Sequence, residues 1–160
     1  MKAADIMRQP VFATTPWTPV QEVLAQLATN NVSGMPVVER DGTVIGIITE
    51  DDLLRAYIEG VQLELLTVQA LMTTEPITVD VETPLADVMQ IIHDEGILRV
   101  PVTEDGLLVG VISRSDVIRA LAQPGQLGTL AFPIFHRHYQ EAPAGERHVP
   151  ERHLVPTYGW

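Results

Sequence analysis

The sequence contains no cysteine, a single lysine and no long apolar run. Without cysteine the chain has no disulfide, no thiol nucleophile and no thiolate metal ligand. No apolar stretch approaches the roughly 18 residues that a membrane span needs. The first ten residues also lack the apolar segment of a secretory signal. We therefore expect a cytoplasmic protein that does not cross a membrane.

Basic residues are scarce as well. The 10 Lys and Arg stand against 21 Asp and Glu, which gives a formal net charge of −11. A surface this acidic repels phosphate backbones and anionic membranes, so neither nucleic acid nor a membrane is an expected partner. A small anion could still bind where backbone donors and a helix N-terminus converge. The hydrophobic content of 46% predicts a chain that folds.

The chain contains an internal repeat. Gly42–Ala56 aligns without a gap with Gly106–Ala120, and six of the 15 positions are identical, where unrelated segments would match at about one. Shorter matches at an offset of 65 residues extend the repeat upstream, as in residues 34–37 over residues 99–102. Each copy is about 55 residues long.

We assign residues 1–60 to repeat 1, 61–67 to a linker, 68–122 to repeat 2 and 123–160 to a C-terminal extension rich in proline and aromatic residues.

The pattern of apolar and turn residues in each copy predicts the element order strand, helix, strand, strand, helix. Thr18-Pro19 and Thr83-Pro84 predict threonine-capped helices, because apolar residues then recur on one helical face. An Asp-Gly turn between two β-rich runs predicts a hairpin in each copy. A half of about 55 residues has a marginal core. We therefore predict an α/β (α+β) fold in which the halves pack face to face about a pseudo-twofold axis and share one core.

The second β-rich run of each copy ends in a hydroxyl residue, and an aspartate follows three positions later. These pairs are Thr49 with Asp52, and Ser113 with Asp116. One interpretation is a capping box at a helix start. The other is a ligand site, since the hydroxyl could donate to a phosphate and the carboxylate could accept from a ribose diol. An apolar slot for a flat base would lie beside each pair. Its walls would be Met35 with Pro36, and Val100 with Pro101.

The pattern of an apolar residue and Pro, followed by Gly-apolar-apolar-[Thr/Ser]-x-x-Asp, resembles a tandem pair of CBS domains, or Bateman module. The copies would cover about Ala3–Tyr57 and Val68–Leu121. The resemblance implies a sensor or regulatory module that often dimerises, is not itself an enzyme, and binds an adenosine nucleotide such as AMP, ADP or ATP. It also implies roles for particular residues. Asp52 and Asp116 would bind ribose hydroxyls, Thr49 and Ser113 would approach phosphate, the backbone at Ala13 and Thr78 would meet the adenine, and Met35, Pro36, Val100 and Pro101 would wall the pocket.

The two copies differ in charge. The second has Arg114 inside the motif, and Arg99 where the first has Gly34. Arginines can bind phosphate oxygens with paired donors. The first copy instead has Glu50 and Asp51 beside its aspartate, and these carboxylates oppose a polyphosphate. We predict that the second copy is the better nucleotide site. Alternatively, the two arginines only face solvent.

The C-terminal extension holds five of the 12 prolines and five of the eight aromatic residues. We expect an extended arm that docks on the module or on a second subunit; disorder until a partner binds is the alternative. His136 and His138 lack a third ligand, so no metal site is expected. The leading hypothesis is a homodimeric regulatory module that needs no cofactor and passes occupancy to a protein partner. A structural dimerisation module without a ligand is the second, and no catalytic constellation supports an enzyme.

Overall fold

The computed structural model describes residues 1–125, so the predictions for the C-terminal extension beyond them, including His136 and His138, lie outside the described residues. The helices are α1 (Ala3–Ile6), α2 (Val20–Asn30), α3 (Glu50–Ile58), α4 (Leu85–Asp94) and α5 (Arg114–Leu121). The strands are β1 (Gly34–Val38), β2 (Val44–Thr49), β3 (Thr73–Thr74), β4 (Val79–Asp80), β5 (Arg99–Glu104) and β6 (Leu107–Ser113). Short 3-10 turns cover Leu63–Leu65 and Val68–Ala70.

The strands form two three-stranded sheets in the orders β1-β2-β3 and β4-β5-β6. Each sheet contains one of the predicted hairpins, with β1 antiparallel to β2 and β5 antiparallel to β6. The predicted first strand of each copy is much shorter than the others. It is a single bridge from Thr14 to Val37 in the first copy and the two-residue β4 in the second. The mixed α/β fold built from two repeats is therefore confirmed.

Each sheet receives a segment from the opposite repeat. The first residues of the chain join the second half, where the Arg8 amide donates to the Val111 carbonyl at 2.8 Å and Ala3 is fully buried. Conversely, β3 pairs with β2 in the first sheet. The Val68 amide donates to the Thr18 carbonyl at 2.9 Å in the same half. The structural halves therefore exchange their leading segments.

The buried apolar residues form two clusters, one in each half, so the prediction of one shared core was wrong. The first cluster includes Val23, Met35 and Ile48, together with Val68 from the exchanged segment. The second includes Val88, Val100, Val102 and Ile112, with Ala3 from the N-terminus. Each half buries its own apolar faces because the exchanged segment closes the remaining side of its core.

The helices α2 and α4 begin where the Thr-Pro pairs predict, but the threonines do not cap them. Pro19 and Pro84 occupy the N-cap positions and make no side-chain capping hydrogen bond. The Thr18 hydroxyl instead lies 2.7 Å from the Thr15 hydroxyl. The fixed φ of proline therefore starts these helices without a polar side-chain cap.

Gly46 and Gly110 allow the exchanged segments to cross the sheets closely. A Cβ atom at Gly46 would lie 2.9 Å from the Thr73 carbonyl oxygen and 2.8 Å from the Met72 sulfur, and one at Gly110 would lie 2.5 Å from the Met7 sulfur. We expect Gly46→Ala and Gly110→Ala each to lower the free energy of unfolding by about 1–3 kcal/mol in urea titrations.

A second substitution distinguishes obstruction by a methionine side chain from obstruction by the backbone as the cause of this loss of stability. In a Met7→Ala background the penalty of Gly110→Ala should fall in part, because the obstructing sulfur and Cγ are gone while the Cβ of residue 7, 2.9 Å from the added atom, remains. In a Met72→Ala background Gly46→Ala should keep most of its penalty, since the Thr73 carbonyl remains in place. Unchanged stability of both single glycine variants would contradict the close approach.

Candidate functional site

The first junction, Thr49–Asp52, joins β2 to α3 and forms a capping box. The Thr49 amide and hydroxyl donate to Oδ2 of Asp52 at 2.9 and 2.8 Å. The Asp52 amide donates to the Thr49 hydroxyl at 3.3 Å. Arg55 lies 2.6 Å from Asp51 but 3.9 Å from Asp52. Oδ1 of Asp52 therefore has only a distant cation beside it.

The second junction, Ser113–Asp116, repeats the capping box at the start of α5. The Ser113 amide donates to Oδ2 of Asp116 at 2.9 Å, as the Thr49 amide does in the first junction. Here, however, Oδ1 also accepts hydrogen bonds, from Arg119 at 2.8 Å and from Arg8 at 2.5 Å. The capping interpretation is confirmed at both junctions, and the second carries two additional ion pairs.

Asp116 is 4% exposed. Burial by itself raises the pKa of a carboxyl group. Hydrogen bonds from the Ser113 side chain, Arg8, the Ser113 amide and Arg119 outweigh burial and lower the pKa of Asp116 to about 2. The carboxylate is therefore negatively charged at neutral pH and already has donors on both oxygens.

Each junction opens into a cleft between the two repeats. The first cleft, of about 650 Å³, is lined by the first junction, by residues 73 and 75–77, and by residues 96–99. The second cleft, of about 380 Å³, is lined by Ser113 and Asp116, by residues 8–12, and by residues 30–32 and 99. Residues 8–12 and 73–77 are equivalent at the repeat offset of 65. The clefts therefore occupy equivalent places in the two halves.

The clefts differ strongly in charge. Glu50, Asp51, Asp52 and Glu75 all line the first cleft. The second cleft has Asp116 as its acidic residue and Arg8 as a cation, while Thr73 takes the place equivalent to Arg8 in the first cleft. The second cleft therefore offers a phosphate group a cation that the first does not.

Arg99 lines both clefts. Its Nη1 lies 3.5 Å from the Gly34 carbonyl, and its buried Nε has no hydrogen-bond partner. Burial lowers the pKa of Arg99, against the charges of Asp116 and Glu50, which raise it. A guanidinium remains protonated under such conditions. Arg99 is therefore a half-buried cation between the two sites.

The structure brings together part of the predicted site. Thr49, Asp52 and Arg99 line the first cleft, while Pro36, Arg99, Ser113 and Asp116 line the second. The remaining predicted residues line neither. Met35 and Val100 are fully buried in the cores, Pro101 is buried, Ala13 and Thr78 are half-buried just beyond the lining segments, and the exposed Arg114 donates to the Ile97 carbonyl at 2.9 Å.

Sequence reasoning missed the residues that the exchanged segments bring to the clefts. Arg8 and Phe12 line the second cleft, and Ile77 lines the first. The offset of 65 residues makes Phe12 and Ile77 equivalent, which was the available signal. No local pattern places Arg8 beside Asp116, because their contact depends on the pairing of the N-terminal segment with β6.

Other classes of site are not evident in the described part of the chain. Among residues 1–125, no group of three or more His, Asp or Glu side chains is arranged to hold a metal ion. None of the helices in that range combines the length and apolar character of a membrane span. The two clefts are the candidate sites because they contain the hydroxyl and aspartate residues of the two junctions.

Comparison with known proteins identifies what the chain is similar to. A family model, described as the CBS domain, matches residues 3–59 and 68–123. The chain is similar to the Arabidopsis thaliana CBS-pair protein CBSX2, solved in complex with AMP, with 31% identity, a TM-score of 0.67 and coverage of 74% of this chain and 94% of that one. It is also similar to the CBS domain pair of protein MJ0100, solved with 5′-methylthioadenosine and S-adenosyl-L-methionine, with 25% identity, a TM-score of 0.69 and coverage of 76% and 95%.

The curated relatives include proteins that are much longer. The A-adding tRNA nucleotidyltransferase of Aquifex aeolicus is 29% identical over 125 residues, which are 77% of this chain but 15% of that enzyme. The chain also spans less than two thirds of the length of two further curated relatives. The matched region is thus a module that occurs both in CBS-pair proteins and within enzymes.

Proposed function

This chain belongs to the CBS domain family, as a tandem CBS pair, and on that premise we propose that its clefts bind adenosine derivatives and transmit their occupancy to a protein partner. The observation that carries this proposal is the pair of equivalent junctions, each opening into its own cleft. A carboxylate at a helix start can accept from the two ribose hydroxyls, and the partial positive charge of a helix N-terminus favours an anion. The complexes of CBSX2 with AMP and of MJ0100 with S-adenosyl-L-methionine support this ligand class.

The charges of the lining residues favour different ligands in the two clefts. Arg8 and Arg99 favour a phosphorylated nucleoside such as AMP in the second cleft, because guanidinium groups bind phosphate oxygens with charge-assisted hydrogen bonds. The carboxylates of the first cleft repel phosphates and favour an uncharged or cationic adenosine derivative there. Its apolar lining, which includes Ile77, Ile97 and Leu98, suits an adenine ring. The preference of the second copy for nucleotides therefore stands as a proposal, with Arg8 rather than Arg114 as its source.

A second candidate function is dimerisation without a ligand. The capping boxes explain both aspartates without any ligand. In addition, α3 exposes large apolar side chains, with Leu54 at 61%, Tyr57 at 72% and Ile58 at 81% exposed, and Ile118 of α5 is 65% exposed. Apolar helix faces of this kind favour association with another chain. We propose a homodimer under either function.

Thermal-shift and calorimetric titrations separate the two functions. Adenosine, AMP, ADP, ATP, NAD, 5′-methylthioadenosine and S-adenosylmethionine are each titrated into the full chain. At 100 times the dissociation constant a ligand stabilises the folded state by about 2.7 kcal/mol, so at least one should raise the melting temperature by several degrees. AMP should compete poorly with 5′-methylthioadenosine if the clefts have different preferences. If none binds at millimolar concentration while light scattering reports a dimer, the ligand-free function is favoured instead.

A further inference from the structure

Arg99 is the one residue in the described part of the chain that lines both clefts. Its equivalent in the first repeat is Gly34, which has no side chain and lies against Arg99 through its carbonyl. A symmetric pair would have one such cation for each cleft. This chain has a single guanidinium between the two.

The Arg99 guanidinium makes only one, long hydrogen bond among the contacts of residues 1–125. Its Nε is buried without a hydrogen bond, and its contact with the Gly34 carbonyl is long, at 3.5 Å. Carboxylates act on it from both sides, Asp116 in the second cleft and Glu50 in the first. Neither carboxylate makes an ion pair with Arg99 among the contacts of residues 1–125. The side chain can therefore donate to a ligand in either cleft.

We propose that the two clefts share Arg99 as their common phosphate-binding cation and therefore compete for it. This inference rests on the proposed function, because it takes adenosine derivatives as the ligands. A phosphate in one cleft engages the guanidinium with paired hydrogen bonds. A second phosphate in the other cleft then meets an occupied cation, a like charge across it and, in the first cleft, four carboxylates. Phosphorylated nucleotides bind with negative cooperativity, whereas an uncharged adenosine derivative does not compete for Arg99.

As a consequence, the CBS pair senses the composition of the mixture of adenosine ligands. One nucleotide and one uncharged adenosine derivative can occupy the pair together, because only the nucleotide needs Arg99. Two nucleotides disfavour each other. The state of the module then follows the ratio of phosphorylated to unphosphorylated ligand, and not the total adenosine concentration.

Calorimetry on the full chain tests the coupling with AMP and adenosine as probes. Ile77→Trp is used to obstruct the first cleft and Ser115→Trp the second, since both residues are lining residues of their clefts. The second AMP to bind the unobstructed chain should do so at least about tenfold more weakly than AMP binds the same cleft when the other is obstructed. Adenosine should show no such difference. Arg99→Gln should weaken the first AMP event and reduce the coupling to the repulsion between the two phosphates, whereas Arg99→Lys should retain more of both because the charge is kept. Circular dichroism and melting curves check that each variant folds.

The outcomes distinguish this inference from the proposed function. Equal AMP affinities in obstructed and unobstructed chains would overturn the coupling and leave adenosine binding intact. Coupling of undiminished size in Arg99→Gln would overturn the role of Arg99. Failure of every adenosine derivative to bind the unmodified chain would overturn both proposals.

Discussion

Asp116→Asn is expected to lower the free energy of unfolding by about 2–3 kcal/mol at neutral pH. The side chain is almost completely buried, completes the capping box of α5, and accepts from Arg8 and Arg119. Asparagine has the same shape but no charge, so both ion pairs are lost. Asp52→Asn is the matched control, because Asp52 has the same capping contacts but lies 3.9 Å from its cation. It should cost about 1 kcal/mol, as the loss of a cap alone does. Chemical denaturation with urea measures both.

The effect of Asp116→Asn should depend on pH in a defined direction. The pKa of Asp116 in the folded chain, about 2, lies below its ordinary value of 3.8. Its charged form therefore stabilises the fold above the unfolded pKa, and this contribution is lost as pH falls through the interval between 3.8 and about 2. The difference in unfolding free energy between the unmodified chain and the variant should shrink over that interval. If the difference in unfolding free energy stays constant down to about pH 2, the charge of Asp116 is not its cause.

The largest change in ligand selectivity is expected from exchanging Arg8 and Thr73, which are equivalent in the two repeats. Arg8→Thr removes a charge-assisted donor from the second cleft and should weaken AMP binding about 10- to 100-fold. Binding of adenosine should change much less, because it has no phosphate. Thr73→Arg adds the missing cation to the first cleft and should strengthen AMP binding there. Calorimetry with both ligands on both variants measures the selectivity.

Controls are needed because Arg8 also pairs with Asp116. Arg55→Thr removes an arginine that pairs with the first junction but does not line either cleft, and should leave AMP affinity unchanged. If Arg8→Thr weakens AMP and adenosine equally, Arg8 acts by shaping the junction and not by binding phosphate. If Thr73→Arg leaves AMP binding unchanged, the charge explanation for the difference between the clefts is wrong.

Local patterns predicted the features that depend on neighbouring residues. The repeat, the hairpins and the helix starts follow from periodicity and turn residues, and the contacts of Thr49 with Asp52 follow from a spacing of three residues. These features need no knowledge of the rest of the fold. They account for the confirmed α/β architecture and for the position of both junctions.

Features that depend on distant pairing were not predictable in this way. Arg8 and Asp116 are 108 positions apart, and only the pairing of the N-terminal segment with β6 brings them together. Met35 and Val100 were predicted as pocket walls from their place in a motif, yet their side chains lie on the core-facing side of the strands. Arg114 lies in the first turn of α5 and reaches the Ile97 carbonyl instead of a cleft.

The exchange of leading segments has a consequence for synthesis of the chain on the ribosome. When residues 1–60 have emerged, the first repeat is complete in sequence, but β3, which closes its sheet, has not yet been made. The amides of Ala3 and Ala4 must in turn wait for residues 81–83, and the Arg8 amide for β6, before they find partners. The first half can therefore close only once β3 has been made, and the N-terminal segment lacks its pairing with β6 until more than 110 residues are available. Cutting the chain between the repeats would accordingly leave two incomplete fragments instead of two domains.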